Sequence, residues 1–269
     1  MQKLFLVIIL LCSLGYAKKS MVVLDPAAIE ILYMIGAEDE IVAIPEMKNI
    51  KPIEKTNKLD KIGTFTNPNL EKIISLKPKR VILTSYSIGL KDQLERYKIE
   101  TLQLPVSTLK DIYKNILTLG KLTNKEYEAK KVAQDFMSKI EEIRANPVNQ
   151  KGVFIYSSTP LMVFGGDTLP SDILETIGVE NIAKDIVGER PILSAEFLVG
   201  KNPDIIFYGL RIKDRDELVK ANQSFKFLKA IQENKVYFLE LHTLLRGSPE
   251  IINQILRIQH DLAKNIEAQ

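Results

Sequence analysis

The sequence feature that most constrains the fold of this chain is one long amphipathic segment, flanked on both sides by short strand-like and helix-like runs. Apolar residues recur through residues 123–146 at the spacing of one helical face, at Ala129, Val132, Ala133, Phe136, Ile140 and Ile143. Thr123-Asn-Lys-Glu126 predicts a capping box at the start, and Pro147 follows the end. The pattern predicts a helix of about 23 residues, roughly 34 Å long. Such a helix would connect two regions rigidly; an ordinary surface helix is the alternative.

Short apolar runs with the character of buried strands alternate with helical segments before and after this helix. The predicted strands are Met21–Leu24, Ile41–Ile44, Val81–Leu83, Thr101–Leu104, Val153–Tyr156, Met162–Phe164, Ile205–Tyr208 and Val236–Leu239. Alternating buried strands and helices are typical of α/β layers around a largely parallel sheet. We therefore expect an α/β fold with two lobes, at residues 18–122 and 147–269, joined by the helix of residues 123–146.

The two halves repeat two short patterns in the same order. Ile35-Gly36-Ala37-Glu38 is matched by Ile177-Gly178-Val179-Glu180. Glu71 stands seven residues before Pro78 and a strand, and Glu196 stands seven residues before Pro203 and a strand. Two matched pairs in one order favour two similar lobes.

The N-terminus has the organisation of a secretory signal peptide. Lys3 is followed by an apolar run from Leu4 to Leu11, and the small residues Gly15 and Ala17 lie two apart. The apolar run is shorter than the roughly 20 residues that a membrane span needs. The pattern predicts cleavage after Ala17 and a periplasmic protein. A lipoprotein that begins at Cys12 is the alternative, which the bulky Leu11 before it disfavours.

Composition excludes several classes of function. Without Lys3, 36 basic residues face 34 acidic ones, so the chain has no excess of positive charge typical of nucleic-acid binding. Cys12 is the only cysteine, so a chain cleaved after Ala17 has neither disulfides nor thiol chemistry. The sequence contains no nucleophile elbow, Walker loop, His-Glu-x-x-His or Gly-x-Gly-x-x-Gly after a strand, which argues against an enzyme. An envelope interaction module is another alternative.

Taken in their order and spacing, these segments resemble class III periplasmic binding proteins, which serve ABC importers of ferric siderophores, haem and cobalamin. Glu71-Lys-Ile-Ile-Ser-Leu-Lys-Pro78 is the most specific motif. The resemblance covers essentially the whole mature chain and is best over residues 30–43, 62–84, 164–181, 195–208 and 227–252.

The resemblance implies two Rossmann-like lobes joined by one long helix, with the ligand between them and only small hinge motions. It implies no intrinsic cofactor, a monomer, and as partners an inner-membrane permease and its ATPase. In this family one exposed carboxylate on each lobe docks onto arginine pockets of the permease. The matching residues are Glu71 and Glu196, and a solvated helix face is the plainer interpretation of each.

Ligands of layered α/β proteins lie beyond the carboxyl ends of the strands, which nominates the loops there. Phe65, Tyr86 and Tyr208 are candidate aromatic walls, and Arg211 and Arg246 are candidate partners of an anionic ligand. His242 and Tyr86 are candidate ligands to a metal carried in a bound chelate. His260, on the terminal helix, is expected to be structural or exposed.

The residue inventory narrows the ligand class. Two histidines and no mature cysteine disfavour capture of bare zinc or manganese. Haem-binding members of the family often carry a tyrosine directly after the glycine equivalent to Gly63, where this chain has Thr64 and Phe65. Cobalamin binders tend to carry tryptophan, and this chain has none. The predicted ligand is an iron chelate, a ferric siderophore before haem, with cobalamin and nickel chelates as alternatives.

Overall fold

The computed structural model describes residues 20–47, 54–209, 211–239 and 244–267, so the predicted signal peptide and Cys12 lie outside the described residues. The N-terminal lobe is built on a five-stranded, wholly parallel sheet in the order β3-β2-β1-β4-β5. Its strands are β1 (Met21–Val23), β2 (Ile41–Glu46), β3 (Asp60–Thr64), β4 (Arg80–Leu83) and β5 (Glu100–Gln103). The predicted parallel α/β architecture is confirmed in this lobe.

The helices of this lobe are α1 (Pro26–Met34), α2 (Leu70–Ser75), α3 (Lys91–Arg96) and α4 (Leu109–Leu122), with 3₁₀ turns at Glu38–Glu40, Glu54–Lys58 and Ile88–Leu90. Side chains that accept from free backbone N–H groups start three of the four helices: Asp25 at α1, Asn69 at α2 and Thr108 at α4. Helix starts therefore follow local cap chemistry.

The C-terminal lobe has a second sheet, in the order β10-β9-β6-β7, with β8 paired to the first residues of β6. Its strands are β6 (Gln150–Ser158), β7 (Leu161–Val163), β8 (Val179–Asn181), β9 (Ile205–Tyr208) and β10 (Val236–Phe238). Only β7 runs antiparallel among these pairings. The helices are α6 (Leu169–Thr176), α7 (Ala195–Lys201), α8 (Arg215–Ala221), α9 (Lys229–Gln232) and α10 (Ile251–Glu267), with a 3₁₀ turn at Gln223–Phe227.

The long helix between the lobes, α5, spans Glu126–Arg144, 19 residues. The predicted capping box at Thr123 is wrong: Thr123 ends α4, where its hydroxyl donates to the Leu119 carbonyl oxygen at 2.8 Å. The reciprocal box lies at the start of α4, between Thr108 and Asp111. Gly120 lets α4 and α5 pack closely, because a Cβ there would lie 2.2 Å from the Ala129 Cβ.

The internal repeat is visible in the backbone. Lys77 and Asn202, each directly before a proline, both adopt left-handed conformations, with φ of 48° and 42°. Gly36 and Gly178 follow α1 and α6 with φ of 67° and 80°, a region that glycine enters readily. Pro249 lies in a turn two residues before α10.

One buried apolar cluster extends through both lobes and α5, and two others lie within the C-terminal and the N-terminal lobe respectively. The cluster that both lobes share contains Ile29 and Leu32 of α1, Phe136 and Ile140 of α5, and aromatic residues of the second lobe. In that lobe the Phe154 ring lies 5.2 Å from Phe164 and 6.2 Å from Phe207, between centroids. Because interiors pack densely and deform little, a shared core ties the lobes to one another.

Polar contacts join the same elements. The Leu109 backbone N–H, at the start of α4, donates to Asp172 of α6 at 2.7 Å. The Gln259 side chain on α10 donates to the Ile143 and Asn146 carbonyl oxygens, each at 2.7 Å. Among the described residues, no helix is both long and apolar enough to cross a membrane.

Candidate ligand-binding site

Two aromatic side chains come together at the carboxyl edge of the first sheet. Phe65 follows β3 and Tyr86 follows β4, and their rings meet edge to face at 5.7 Å between centroids. Tyr86 is 68% exposed. Gly63, at φ 89°, permits the turn before Phe65, since its Cβ would lie 2.7 Å from the Asn67 carbonyl oxygen. The two predicted wall residues therefore form one aromatic surface, in which Tyr86 is exposed and Phe65 is half-buried.

At the corresponding edge of the second sheet, two arginines lie over one tyrosine. The Arg190 guanidinium carbon is 4.8 Å from the centre of the Tyr156 ring, and that of Arg211 is 5.3 Å away. Both arginines are exposed, and neither forms an ion pair with a carboxylate of the described residues. Exposed guanidinium groups beside an aromatic ring suit a planar or aromatic anion.

Arg190 is held in place by backbone pairing along β7. Val163 donates to the Pro191 carbonyl oxygen at 3.2 Å, and Leu193 donates to that of Leu161 at 2.9 Å. Gly166 allows the preceding part of the loop to approach, because a Cβ there would lie 2.1 Å from the Lys184 carbonyl oxygen. The loop that carries Arg190 is thus fixed to the sheet before any ligand arrives.

Tyr208 and Arg246 differ from the predicted arrangement. Tyr208 is only 8% exposed, and burial raises the pKa of its phenol; Phe238, 57% exposed, packs against its ring at 5.7 Å. Arg246 forms an ion pair with Glu30 of α1, and the two side chains are only 15% and 12% exposed. Arg246 thus has a partner within the protein, and Phe238 offers more aromatic surface than Tyr208.

The remaining candidates have different outcomes. Arg211 lies beside Arg190 over the Tyr156 ring. His242 lies outside the described residues. His260 is exposed on α10, as expected. Among the described residues, no three histidine, cysteine or carboxylate side chains converge to hold a metal ion.

Tyr156 and Arg190 are site residues that sequence reasoning missed. Tyr156 lies near the carboxyl end of a predicted strand, so the strand-end rule could have nominated it. Arg190 carried no such signal, because its position depends on the pairing of its loop with β7.

Asp25 is partly buried and interacts electrostatically with the Glu30–Arg246 pair. Its carboxylate caps α1 and accepts from the Ala27 N–H at 2.8 Å. Burial raises the pKa of Asp25 to about 6, against the backbone hydrogen bonds; Glu30 raises it further and Arg246 lowers it. A pKa above its unfolded value means that the ionised carboxylate destabilises the fold above about pH 6. The penalty is relieved as the pH falls through that value towards the unfolded pKa.

The variant Asp25→Asn tests this sign, because asparagine caps a helix as well as aspartate but does not ionise. We expect the free energy of unfolding of the variant, relative to the natural chain, to be higher near pH 8 than near pH 4 by at most about 3 kcal/mol. Urea unfolding at both pH values measures the difference. The exposed Asp92→Asn is the control, for which the difference should stay close to zero. An equal difference at both pH values for Asp25→Asn would contradict the prediction.

Glu71 and Glu196 occupy the same position in equivalent helices. Each is the second residue of a short helix, after Asn69 and Ser194 respectively, whose side chains cap α2 and α7. Both glutamates are exposed. The pKa of the Glu196 carboxyl lies below its usual range, because the carboxylate accepts hydrogen bonds from the Glu196 backbone N–H and the Ser194 hydroxyl. Each lobe thus presents one carboxylate at the start of a helix.

Known proteins provide the comparison. The family model described as periplasmic binding protein matches residues 21–241. The chain is 30% identical over 189 residues to a vitamin B12-binding protein of Vibrio vulnificus. This alignment covers 68% of each of the two chains. The fold of this chain is similar to that of a possible iron-binding, periplasmic solute-binding protein of Staphylococcus epidermidis (TM-score 0.81, 21% identity, 91% of this chain and 99% of the other covered). It is also similar to the periplasmic haem-binding protein HutB of Vibrio cholerae (TM-score 0.79, 21% identity, 91% and 99%).

Proposed function

This chain belongs to the periplasmic binding protein family, and from that premise we propose that it captures an iron chelate between its two lobes and delivers it to an inner-membrane ABC permease. A ferric siderophore is the first ligand class and haem the second. The family consists of binding proteins, so we propose no catalytic step. The proposal includes export to the periplasm by cleavage after Ala17, a monomeric protein, and α5 as the helix that connects the lobes.

The basic surface of Tyr156, Arg190 and Arg211 is the observation that carries the ligand class. Ferric catecholate complexes are anionic and expose aromatic rings, and haem carries two carboxylates on a flat ring. Guanidinium groups bind such oxygens by charge-assisted hydrogen bonds and also stack on aromatic faces. Two arginines without a carboxylate partner among the described residues supply both interactions at one strand edge.

On the first lobe, the Phe65–Tyr86 surface would supply an apolar wall for the same ligand. Metal ligation by Tyr86 and His242, through the bound chelate, stays a prediction. Tyr208 is retained only as a buried support, and we leave Arg246 out of the ligand contacts because Glu30 neutralises it.

Cobalamin is the second candidate, because a relative at 30% identity is a vitamin B12-binding protein. The aromatic walls suit a corrin ring as well as a chelate. Two arginines that form no ion pair within the described residues favour the anionic chelate, since the corrin periphery carries mainly neutral amides.

Titration of residues 18–269 with a ferric tris-catecholate, a ferric hydroxamate, haem, cobalamin and a nickel chelate separates the candidates. Residues 18–269 contain no tryptophan and eight tyrosines, so intrinsic tyrosine fluorescence reports binding, with correction for absorbance by the ligands. Saturable quenching by an iron chelate supports the proposal. Saturation by cobalamin alone keeps the carrier role and overturns the ligand class, and no binding across the panel would argue against the carrier role.

The paired glutamates give a prediction for docking. We expect the double variant Glu71→Gln with Glu196→Gln to stimulate the ATP hydrolysis of the cognate transporter about tenfold less than the natural chain does, when the concentration of the binding protein is limiting. The reason is that two charges at the rim of the interface orient the complex. The ATPase rate is measured with the permease and ATPase of the same organism, reconstituted in proteoliposomes. Chelate affinity of the double variant should not change.

The exposed pair Glu95→Gln with Glu141→Gln is the matched control, which should stimulate like the natural chain. Full stimulation by the Glu71 and Glu196 double variant would exclude these carboxylates from docking.

A further inference from the structure

A polar pocket opens beside the basic surface, where β6 ends. Its volume is about 440 Å³, and it lies between the β6–β7 turn and α8. The lining residues are Ser157, Ser158, Thr159, Arg211, Glu217, Lys220 and Ala221. Arg211 lines the pocket and also lies over Tyr156, so the pocket adjoins the surface proposed to hold the chelate.

The charges of the pocket favour one anionic group. Glu217 is held in place, since it accepts from the Ser158 hydroxyl at 3.3 Å and from the Lys213 N–H at 3.0 Å. Arg211 and Lys220 form no ion pair with a carboxylate in the described part of the chain. Two cations against one anion leave a net positive charge, and the pocket also contains hydroxyl groups.

From this arrangement we infer that the pocket receives a carboxylate-bearing arm of the chelate and that Lys220 determines specificity for that arm. The inference rests on the proposed function, because it adds a requirement to the same ligand. Glu217 repels a second anion, so the pocket selects one carboxylate rather than a bare polyanion. Lys220 is exposed, so its contribution is that of a surface ion pair, on the order of a fivefold change in affinity.

The test uses two pairs of ferric complexes, and in each pair one member carries a pendant carboxylate and the other does not. One pair is N-succinyl and N-acetyl desferrioxamine B; the other is bis(2,3-dihydroxybenzoyl)lysine and its methyl ester. Tyrosine fluorescence titration of residues 18–269 measures each affinity. We expect the natural chain to favour the carboxylate member of a pair about fivefold, and Lys220→Met to abolish the preference without weakening binding of the member that lacks the carboxylate.

Two further variants make the result specific. Lys220→Arg should restore the preference, because the charge returns. Lys130→Met removes an exposed charge from α5 and should leave the preference intact. Equal affinities within each pair, or a preference that survives Lys220→Met, would overturn the inference while the carrier function stands. Failure of the natural chain to bind any of the four complexes would overturn the ferric siderophore as the ligand class and this inference with it.

Discussion

The double variant Arg190→Gln with Arg211→Gln is expected to bind a ferric tris-catecholate about 100-fold more weakly than the natural chain, or weaker still. Each guanidinium lies over Tyr156 with no carboxylate partner among the described residues, so both are free to bind the anion. A hydrogen bond to a charged group contributes about 1.5–3 kcal/mol, and two such losses correspond to at least about 100-fold. Tyrosine fluorescence titration measures the loss directly.

The control for this prediction is Arg96→Gln, which removes an exposed arginine of α3 on the other lobe. Its affinity should match that of the natural chain, which separates local contact from general electrostatic attraction. Each single variant should lose about tenfold. If the double variant kept full affinity, the basic surface would not be the chelate site.

The second large effect concerns stability. We expect Phe154→Ala to lower the free energy of unfolding by about 3–5 kcal/mol, because it leaves a cavity among Phe164 and Phe207 in the shared core. Because that core includes residues of both lobes and α5, the chain should still unfold in one transition. Urea unfolding followed by circular dichroism and by tyrosine fluorescence checks both statements.

Tyr97→Ala is the matched control, since this aromatic side chain is exposed at the end of α3 and should change stability by less than about 0.5 kcal/mol. Two separate transitions in Phe154→Ala would show that the lobes fold independently, in contradiction to a shared core.

Much of the fold could be predicted because its signals are local. Strands such as Val81–Leu83 and Ile205–Tyr208 are continuous apolar runs, since parallel strands are covered on both faces. The repeated Gly36 and Gly178 mark left-handed turns after helices. Short elements such as β8 and α9 were missed, because three or four residues carry no clear period.

The candidate site could be predicted only in part, because long-range pairing decides it. Phe65 and Tyr86 follow strands and do meet. Arg190 is positioned by a loop that pairs with β7. Arg246 forms an ion pair with Glu30, which lies 216 positions away in the sequence. The predicted capping box at Thr123 is wrong because Thr123 lies at the end of α4, where its hydroxyl donates to the Leu119 carbonyl oxygen.

The shared core has a consequence for the transport cycle. If the lobes barely move, the empty carrier and the loaded carrier present nearly the same outline to the membrane. A permease that recognised outline alone would therefore spend ATP on empty carriers. Discrimination must then come from the cargo itself, from the edge of the bound complex that stays visible at the mouth of the cleft, or from fluctuations that the cargo damps. Selectivity in uptake would in that case be decided a second time, at the moment of release.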